Sequence, residues 1–311
     1  MKTKRIFHPV FFCVAFLFVQ FHPIKCHGEK LPVIASIFPV ADMVRQVGGE
    51  HVDVTLVLPA GASPHTFEPR PSLVKKFSTA RIFFMVGAGL EFWADKFVKS
   101  SGNHLTRVVL SHGVSLIHST GHHAEHEPPP EKTGAEGQSA EIANPHIWLD
   151  PVIAKSMVKA ILTVLCKTDP RHSVYYTLRS DRYLEKLGEL DRLIKTTVAT
   201  FRTKKYVSFH ASWDYFARRY GLEPVGVIEA SPGRNPTPRQ IKNIVVQIEK
   251  WGIRAVFAEP QFNPRAAEVI ARQADVHVLL LDPVGGPEIK ERNTYVDLMK
   301  YNLNVLHKAM K

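Results

Sequence analysis

The chain has 311 residues, 45% of them hydrophobic, and a formal charge of +11. That length suits two domains and that apolar content supplies a full soluble core. Three cysteines exclude a disulfide framework, and positive charges scattered singly or in short pairs such as Lys204-Lys205 argue against a nucleic-acid face.

The N-terminus reads as an export signal. Lys2, Lys4 and Arg5 precede the apolar run Val10 to Phe21, and cleavage is expected between Lys25 and Glu29. The run is too short and interrupted for a membrane span. Cys26 raises the question of a lipid anchor, but Lys25 stands where a lipoprotein signal needs a small residue. Removing residues 1–28 takes away four basic residues and no acid, which lowers the charge from +11 to +7. The mature chain is then exported and basic. Cys166 lies in the helical pattern AILTVLCK and reads as a core thiol.

After the leader, strand and helix signals alternate. LPVIASIF (31–38) predicts a buried strand, and residues 39–49 a helix opened by proline and closed by glycine. Residues 51–59 alternate as a strand, 71–80 as a short helix, 80–89 as a buried strand, 90–100 as an amphipathic helix and 105–110 as a strand. Residues 118–143 are low in apolar content and rich in His, Glu and Pro, the composition of a mobile loop. A helical pattern then runs from His172 to Phe201 with Leu184, Leu187, Leu190, Ile194 and Val198 on one face. Thirty residues of helix reach about 45 Å, enough to brace two domains. Strands at 205–209, 223–230, 254–260 and 276–282 then alternate with helices at 212–221, 237–252 and 264–274, and a final helix covers 294–310. Strands separated by helices mean βαβ units and mostly parallel sheets. The expected architecture is α/β, with two lobes joined by one long helix. The boundaries are signal 1–28, first lobe 29–170, linking helix 171–202 and second lobe 203–311.

Four residues carry the candidate chemistry. His65 sits in the Pro/Gly turn PAGASPHTFEP, His146 in NPHIWLDP, His210 just after the strand KYVSF, and Asp282 just after VLLL. Singly, each has an ordinary explanation as a loop, packing or capping residue. Together they place two candidates in each half, and ligands of open α/β sheets bind beyond the carboxyl ends of strands. Three imidazoles and one carboxylate form a closed shell for a divalent transition metal, zinc first. A closed shell suits binding, and the chain lacks the HExxH spacing of a zinc peptidase, so a zinc-dependent hydrolase is the weaker reading. His118, His122, His123 and His126, interleaved with Glu125 and Glu127, read as a loose metal-capturing loop. Glu259 in FAEPQF is a candidate support for a ligand histidine.

The motifs GASPHTFEPRPS, NPHIWLDP, FHASWDYFARRYGL, AEPQFNPRAAEVIARQA and LDPVGG, in this order, resemble those of the metal-binding solute-binding proteins of bacterial ABC transporters, the ZnuA/TroA-like group. The resemblance extends from about Leu31 to the C-terminus. It implies two α/β lobes around a long helix, with metal held in the cleft by His65, His146, His210 and Asp282. It also implies a periplasmic monomer that performs no reaction and passes Zn²⁺ to a membrane permease with a cytoplasmic ATPase. His210, where manganese binders of the group carry Glu, points to zinc. Manganese or iron transport is the alternative within the class, and a metal-binding adhesin the alternative outside it. The chain departs from many relatives in its shorter histidine loop, in Pro64 where some zinc binders carry an acid, and in lacking a second-lobe cysteine pair.

Overall fold

The computed structural model describes residues 29–101, 104–118, 143–230 and 233–311. The leader and most of the histidine-rich segment lie outside these.

The first lobe runs β1 (Leu31–Ala35), α1 (Phe38–Gly48), β2 (Val52–Leu56), α2 (Leu73–Thr79), β3 (Ile82–Met85), α3 (Ala94–Ser100) and β4 (Thr106–Val109). Its strands pair in parallel in the order β2-β1-β3-β4. The apolar run 31–38 is divided. β1 ends at Ala35 and α1 begins at Phe38, because Pro39 presets the first helical turn. Gly49 closes α1 at φ 55°, a backbone angle that favours glycine.

Two long helices follow. α4 (Pro151–Thr168) starts on Asp150, whose Oδ1 accepts hydrogen bonds from the N–H groups of Val152 and Ile153. α5 (Ser173–Ala199) has 27 residues, about 40 Å. The second lobe adds β5 (Lys205–Ser208), α6 (Asp214–Tyr220), β6 (Glu223–Val227), α7 (Pro238–Trp251), β7 (Ala255–Ala258), α8 (Arg265–Ala274), β8 (His277–Leu280) and α9 (Tyr295–Met310). α7 opens on a reciprocal cap between Thr237 and Gln240. Its sheet is again parallel, in the order β6-β5-β7-β8. The rhythm shared by the two halves of the sequence is therefore one strand order used twice.

The largest core cluster is continuous across the molecule. It contains Val44 and Val47 of α1, Ile161 of α4, Leu187 and Ile194 of α5, Phe216 of α6 and Met299 of α9. The outer faces of the two sheets have separate, smaller clusters, around Phe83 in the first lobe and Val256 in the second. α5 thus belongs to the common core, and the lobes cannot separate without exposing it. Buried polar contacts add to this brace. Asp42 of α1 accepts from the Tyr183 hydroxyl of α5 at 3.4 Å and from the Tyr295 N–H of α9 at 2.9 Å. Burial raises the Asp42 carboxyl above its usual range, against the pull of those donors. No helix among the described residues is long and apolar enough to cross a membrane.

Candidate metal centre

Three of the four candidate ligands converge between the lobes. His65 stands on the loop after β2, His146 at the start of a short 3-10 turn before α4, and His210 two residues beyond β5. Nε2 of His146 lies 3.1 Å from Nε2 of His65 and 3.1 Å from Nε2 of His210. Among the described residues, these histidines form a group whose donor atoms all lie within 4.8 Å of one another. His146 and His210 are buried and His65 is half-buried. The strand carboxyl ends and the divided strand order of both sheets direct the loops to this point.

The hydrogen bonding around His146 settles its tautomer. Asn144 Nδ2 donates to Ala211 O at 2.6 Å and to Asp214 Oδ2 at 3.0 Å, so Oδ1 must face His146. That oxygen accepts from the His146 backbone N–H at 3.0 Å and lies 2.8 Å from Nδ1. Nδ1 therefore carries the proton and Nε2 presents its lone pair to the centre. Two further ring nitrogens stand 3.1 Å from that lone pair, a crowding of nitrogens that a cation at the centre relieves. Two ligands about 2.05 Å from a tetrahedral zinc ion stand about 3.3 Å apart, close to the observed spacing.

His210 is backed by carboxylates. Its Nδ1 lies 2.9 Å from Glu259 Oε2, although neither atom has a well-aligned hydrogen bond. Ser212 donates to Glu259 Oε1 at 3.2 Å, which holds the carboxylate in place. Glu229, also buried, accepts from the Gly233 N–H at 2.9 Å. Burial raises its carboxyl, the Gly233 N–H and His210 pull it down, and Glu259 pushes it up. Glu259 thus stands against the His210 ring.

Burial keeps two of the imidazoles neutral. His65 is pulled from an ordinary 6.5 down to about 3, first by burial and then by His210. His146 is pushed well below its ordinary value, by burial first and then by His210 and His65. A neutral imidazole is the form that binds metal.

Asp282 occupies a different position. It is fully buried two residues beyond β8, outside the group of three histidines. Oδ1 accepts from Gln261 Nε2 at 2.9 Å and from the N–H groups of Val284 at 3.0 Å and Gly285 at 2.9 Å. Oδ2 pairs with Arg292 Nη1 at 2.7 Å. The small cavity against the histidines is lined instead by Pro64, Gln261, Phe262 and Val284, among others. Asn144, Gln261, Glu229 and Arg292 were not expected from sequence; only Asn144, beside Pro145-His146, and Gln261, beside Glu259, carried a positional signal. Of the loop histidines, His118 pairs with Ala143 in an isolated antiparallel bridge, and His122, His123 and His126 lie outside the described residues.

The loop of His65 and the segment of His146 are held differently. Residues 143–150 are bound to the second lobe: Tyr215 donates to Asn144 O at 2.7 Å, Trp148 Nε1 to Pro283 O at 2.7 Å, and Arg219 to Asp150 at 2.8 Å. The His65 loop is held by internal bonds, such as that from the His65 N–H to Ser63 Oγ at 3.3 Å. It meets the second lobe at glycine. A Cβ on Gly286 would stand 2.9 Å from Ala60 Cβ.

Two parallel α/β lobes braced by one helix, with imidazoles of both lobes meeting between them, define a metal-binding solute-binding protein. Residues 33–309 match the family model "ZnuA: Zinc-uptake complex component A periplasmic". The chain belongs to that family of zinc-binding transporter components. It is 28% identical over 287 residues to the "High-affinity zinc uptake system protein ZnuA" of Bacillus subtilis, covering 91% of this chain and 88% of that one. A crystal structure of ZnuA superposes with TM-score 0.78 at 26% identity, covering 91% of this chain and all (100%) of that one. The laminin-binding protein of Streptococcus agalactiae, described as having adhesin and metal-transporting activity, superposes with TM-score 0.76 at 26% identity, covering 91% and 100%.

Proposed function

We propose that the protein captures Zn²⁺ through His65, His146 and His210 and delivers it to a membrane permease driven by a cytoplasmic ATPase, without catalysing a reaction. The observation that carries this reading is the convergence of three imidazoles between the lobes, with His146 Nε2 at 3.1 Å from Nε2 of both His65 and His210. Neutral nitrogen donors favour zinc over manganese, whose preferred ligands are oxygens. The names of the relatives, zinc uptake foremost, support the same cargo.

In this reading an export signal at 1–28 takes the chain to the periplasm, where it works as a monomer with lobes 29–170 and 203–311 joined by the helix 171–202. In this reading the segment 118–143 gathers metal loosely through His118, His122, His123 and His126. Asn144 and Glu259 hold two of the ligand rings in the tautomer that aims Nε2 inward.

Metal content after zinc loading tests the reading. The wild-type protein should hold one zinc per chain at the centre, and His210→Ala should lose it or bind far more weakly. A wild-type protein that retains no zinc after loading would defeat the proposal.

A further inference from the structure

The base of the second lobe, away from the metal centre, is a basic surface with an exposed tryptophan at its middle. His210, Glu259 and Asp282 follow the carboxyl ends of β5, β7 and β8. At the opposite ends of those strands the last turns of α5, α7 and α9 come together. The Arg202 N–H, just after α5, donates to Met310 O of α9 at 2.8 Å, and the Arg254 guanidinium, just before β7, donates to Lys311 O. The His277 N–H on β8 donates to Arg254 O at 3.1 Å, and the Glu223 N–H on β6 to Lys204 O at 2.8 Å. Trp251 closes α7 in the midst of these ends. Lys205 Nζ stands 4.0 Å and Lys250 Nζ 5.0 Å from the centre of its ring, and its Nε1 donates to Gln247 Oε1 at 3.1 Å. Trp251 is 39% exposed, whereas Trp148 and Trp213 are buried.

Positive charge gathers around that ring. Arg202, Lys250, Arg254, Lys308 and Lys311 are exposed here, against the exposed acids Glu223, Glu249 and Asp275. Glu223 is already paired with Lys205. The strand entries of the first lobe show no such excess. Glu29, Lys30, Glu50 and Arg81, which precede β1, β2 and β3, are balanced in sign.

We propose that this base binds the surface of an anionic phospholipid bilayer. An indole is stable at the level of the lipid headgroups, where its apolar body and its polar N–H are both satisfied. Lysine and arginine beside it are drawn to the lipid phosphates from within a Debye length. One exposed ring without an apolar helix face inserts little, so attachment is reversible and salt-sensitive. Lys205 already stands over the ring, which favours a phosphate beside the ammonium over a sugar stacked on the indole. Bound this way, the cleft points away from the bilayer, and the histidines stay open to metal. The proposal is independent of which metal they hold.

The test uses residues 29–311, which contain every strand and helix described above, because the apolar run 10–21 would itself enter lipid. The probes are vesicles of equal parts phosphatidylglycerol and phosphatidylcholine, and vesicles of phosphatidylcholine alone. The protein should co-sediment with the first at low ionic strength and not with the second, and added salt should release it. Lys250→Gln and Lys308→Gln should each lower the partition coefficient about fivefold. Trp251→Ala should weaken binding too, and abolish the blue shift of tryptophan emission that accompanies it. Lys186→Gln, an exposed change in the middle of α5, should alter nothing. Absence of binding to the mixed vesicles overturns the proposal. Equal weakening by Lys186→Gln and Lys250→Gln does so as well, because net charge alone would then account for the binding. Full binding by a folded Trp251→Ala protein would replace the bilayer with a plain polyanion as the partner. Should that variant fail to fold, the exposed Lys250→Gln and Lys308→Gln decide against Lys186→Gln. Zinc loading should be equal with and without vesicles, and uptake blocked by the bilayer would refute the outward-facing cleft.

Discussion

Asn144 touches His146 with its amide oxygen and the second lobe with its amide nitrogen. Oδ1 lies 2.8 Å from His146 Nδ1, while Nδ2 reaches Ala211 O and Asp214 Oδ2. Ala211 is the residue after His210. One side chain therefore fixes the tautomer of one ligand and the backbone beside another. Replacing Asn144 with Ala should lower zinc affinity about 10- to 100-fold, the usual effect of removing a partner of a ligating histidine. Asn144→Asp should retain more, because a carboxylate still accepts from Nδ1 but repels Asp214. Competition with a chromophoric chelator measures both. Equal affinity in Asn144→Ala and wild type would show that the ring needs no such support.

Protons and zinc compete for the same nitrogens, and burial shifts that contest. His65 titrates at about 3 in the folded protein instead of 6.5, and His146 well below 6.5. Between those limits the unfolded chain takes up protons that the folded one refuses, so metal-free stability falls as pH drops from 6.5 toward 3. Above 6.5 these two rings contribute no pH dependence. Zinc should stabilise the folded protein throughout this window by mass action. Thermal unfolding of metal-free protein from pH 7.5 to 4 should show a declining midpoint, flatter in His65→Ala. Equal slopes in the two proteins would remove His65 as a source of the decline.

The lobes are joined by more than the long helix. Trp148 is fully buried, its Nε1 donates to Pro283 O at 2.7 Å, and its own carbonyl accepts from the Tyr295 hydroxyl at 2.7 Å. Trp148→Phe removes the first bond and leaves a buried carbonyl without its donor, a cost of about 1–3 kcal/mol beyond the lost packing. Urea unfolding should register this as a lower midpoint with an unchanged slope. Because Pro283 lines the cavity against the three histidines, the same variant should weaken zinc binding modestly. A stability equal to wild type would mean that the Trp148–Pro283 bond contributes little to the junction.

The sequence carried the scaffold well and the site incompletely. Strand and helix periodicity located the elements because each buries one regular face. The ends were less legible: the run 31–38 looks like one strand, but Pro39 starts a helix within it. The helix from Pro151 was visible only as AILTVLCK, since its start depends on a cap by Asp150. His65, His146 and His210 stood out through their turn-rich or strand-end settings. What local sequence cannot express is which partner a buried acid takes. Asp282 is expected as a fourth ligand from its place after an apolar strand and from the family resemblance, and nothing near it in sequence announces Arg292, ten residues on, as a partner at 2.7 Å. Asn144 stands beside His146 in the sequence, but its role depends on Ala211 and Asp214 far along the chain.

Release of metal must loosen at least one of the three histidines, and their anchorage differs. Residues 143–150 are tied to the second lobe by Tyr215, Trp148 and Arg219. The His65 loop has mainly internal bonds, and its Ala60 approaches Gly286 without a side chain between them. α5 lies inside the shared core, so a wide hinge would expose Leu187 and Ile194. The expected motion is therefore of the His65 loop over fixed lobes. Spin labels on α2 at Lys75 and on α8 at Arg272, both exposed, should keep their separation within about 2 Å when zinc is added. A label at Glu68, exposed in the His65 loop, should shift and narrow its distance to Arg272 on binding. A large change between Lys75 and Arg272, with Glu68 following its lobe rigidly, would show a hinge instead. Gly286→Ala should oppose closure of the loop and weaken zinc binding while leaving the Lys75–Arg272 distance unchanged, because a Cβ there meets Ala60 at 2.9 Å.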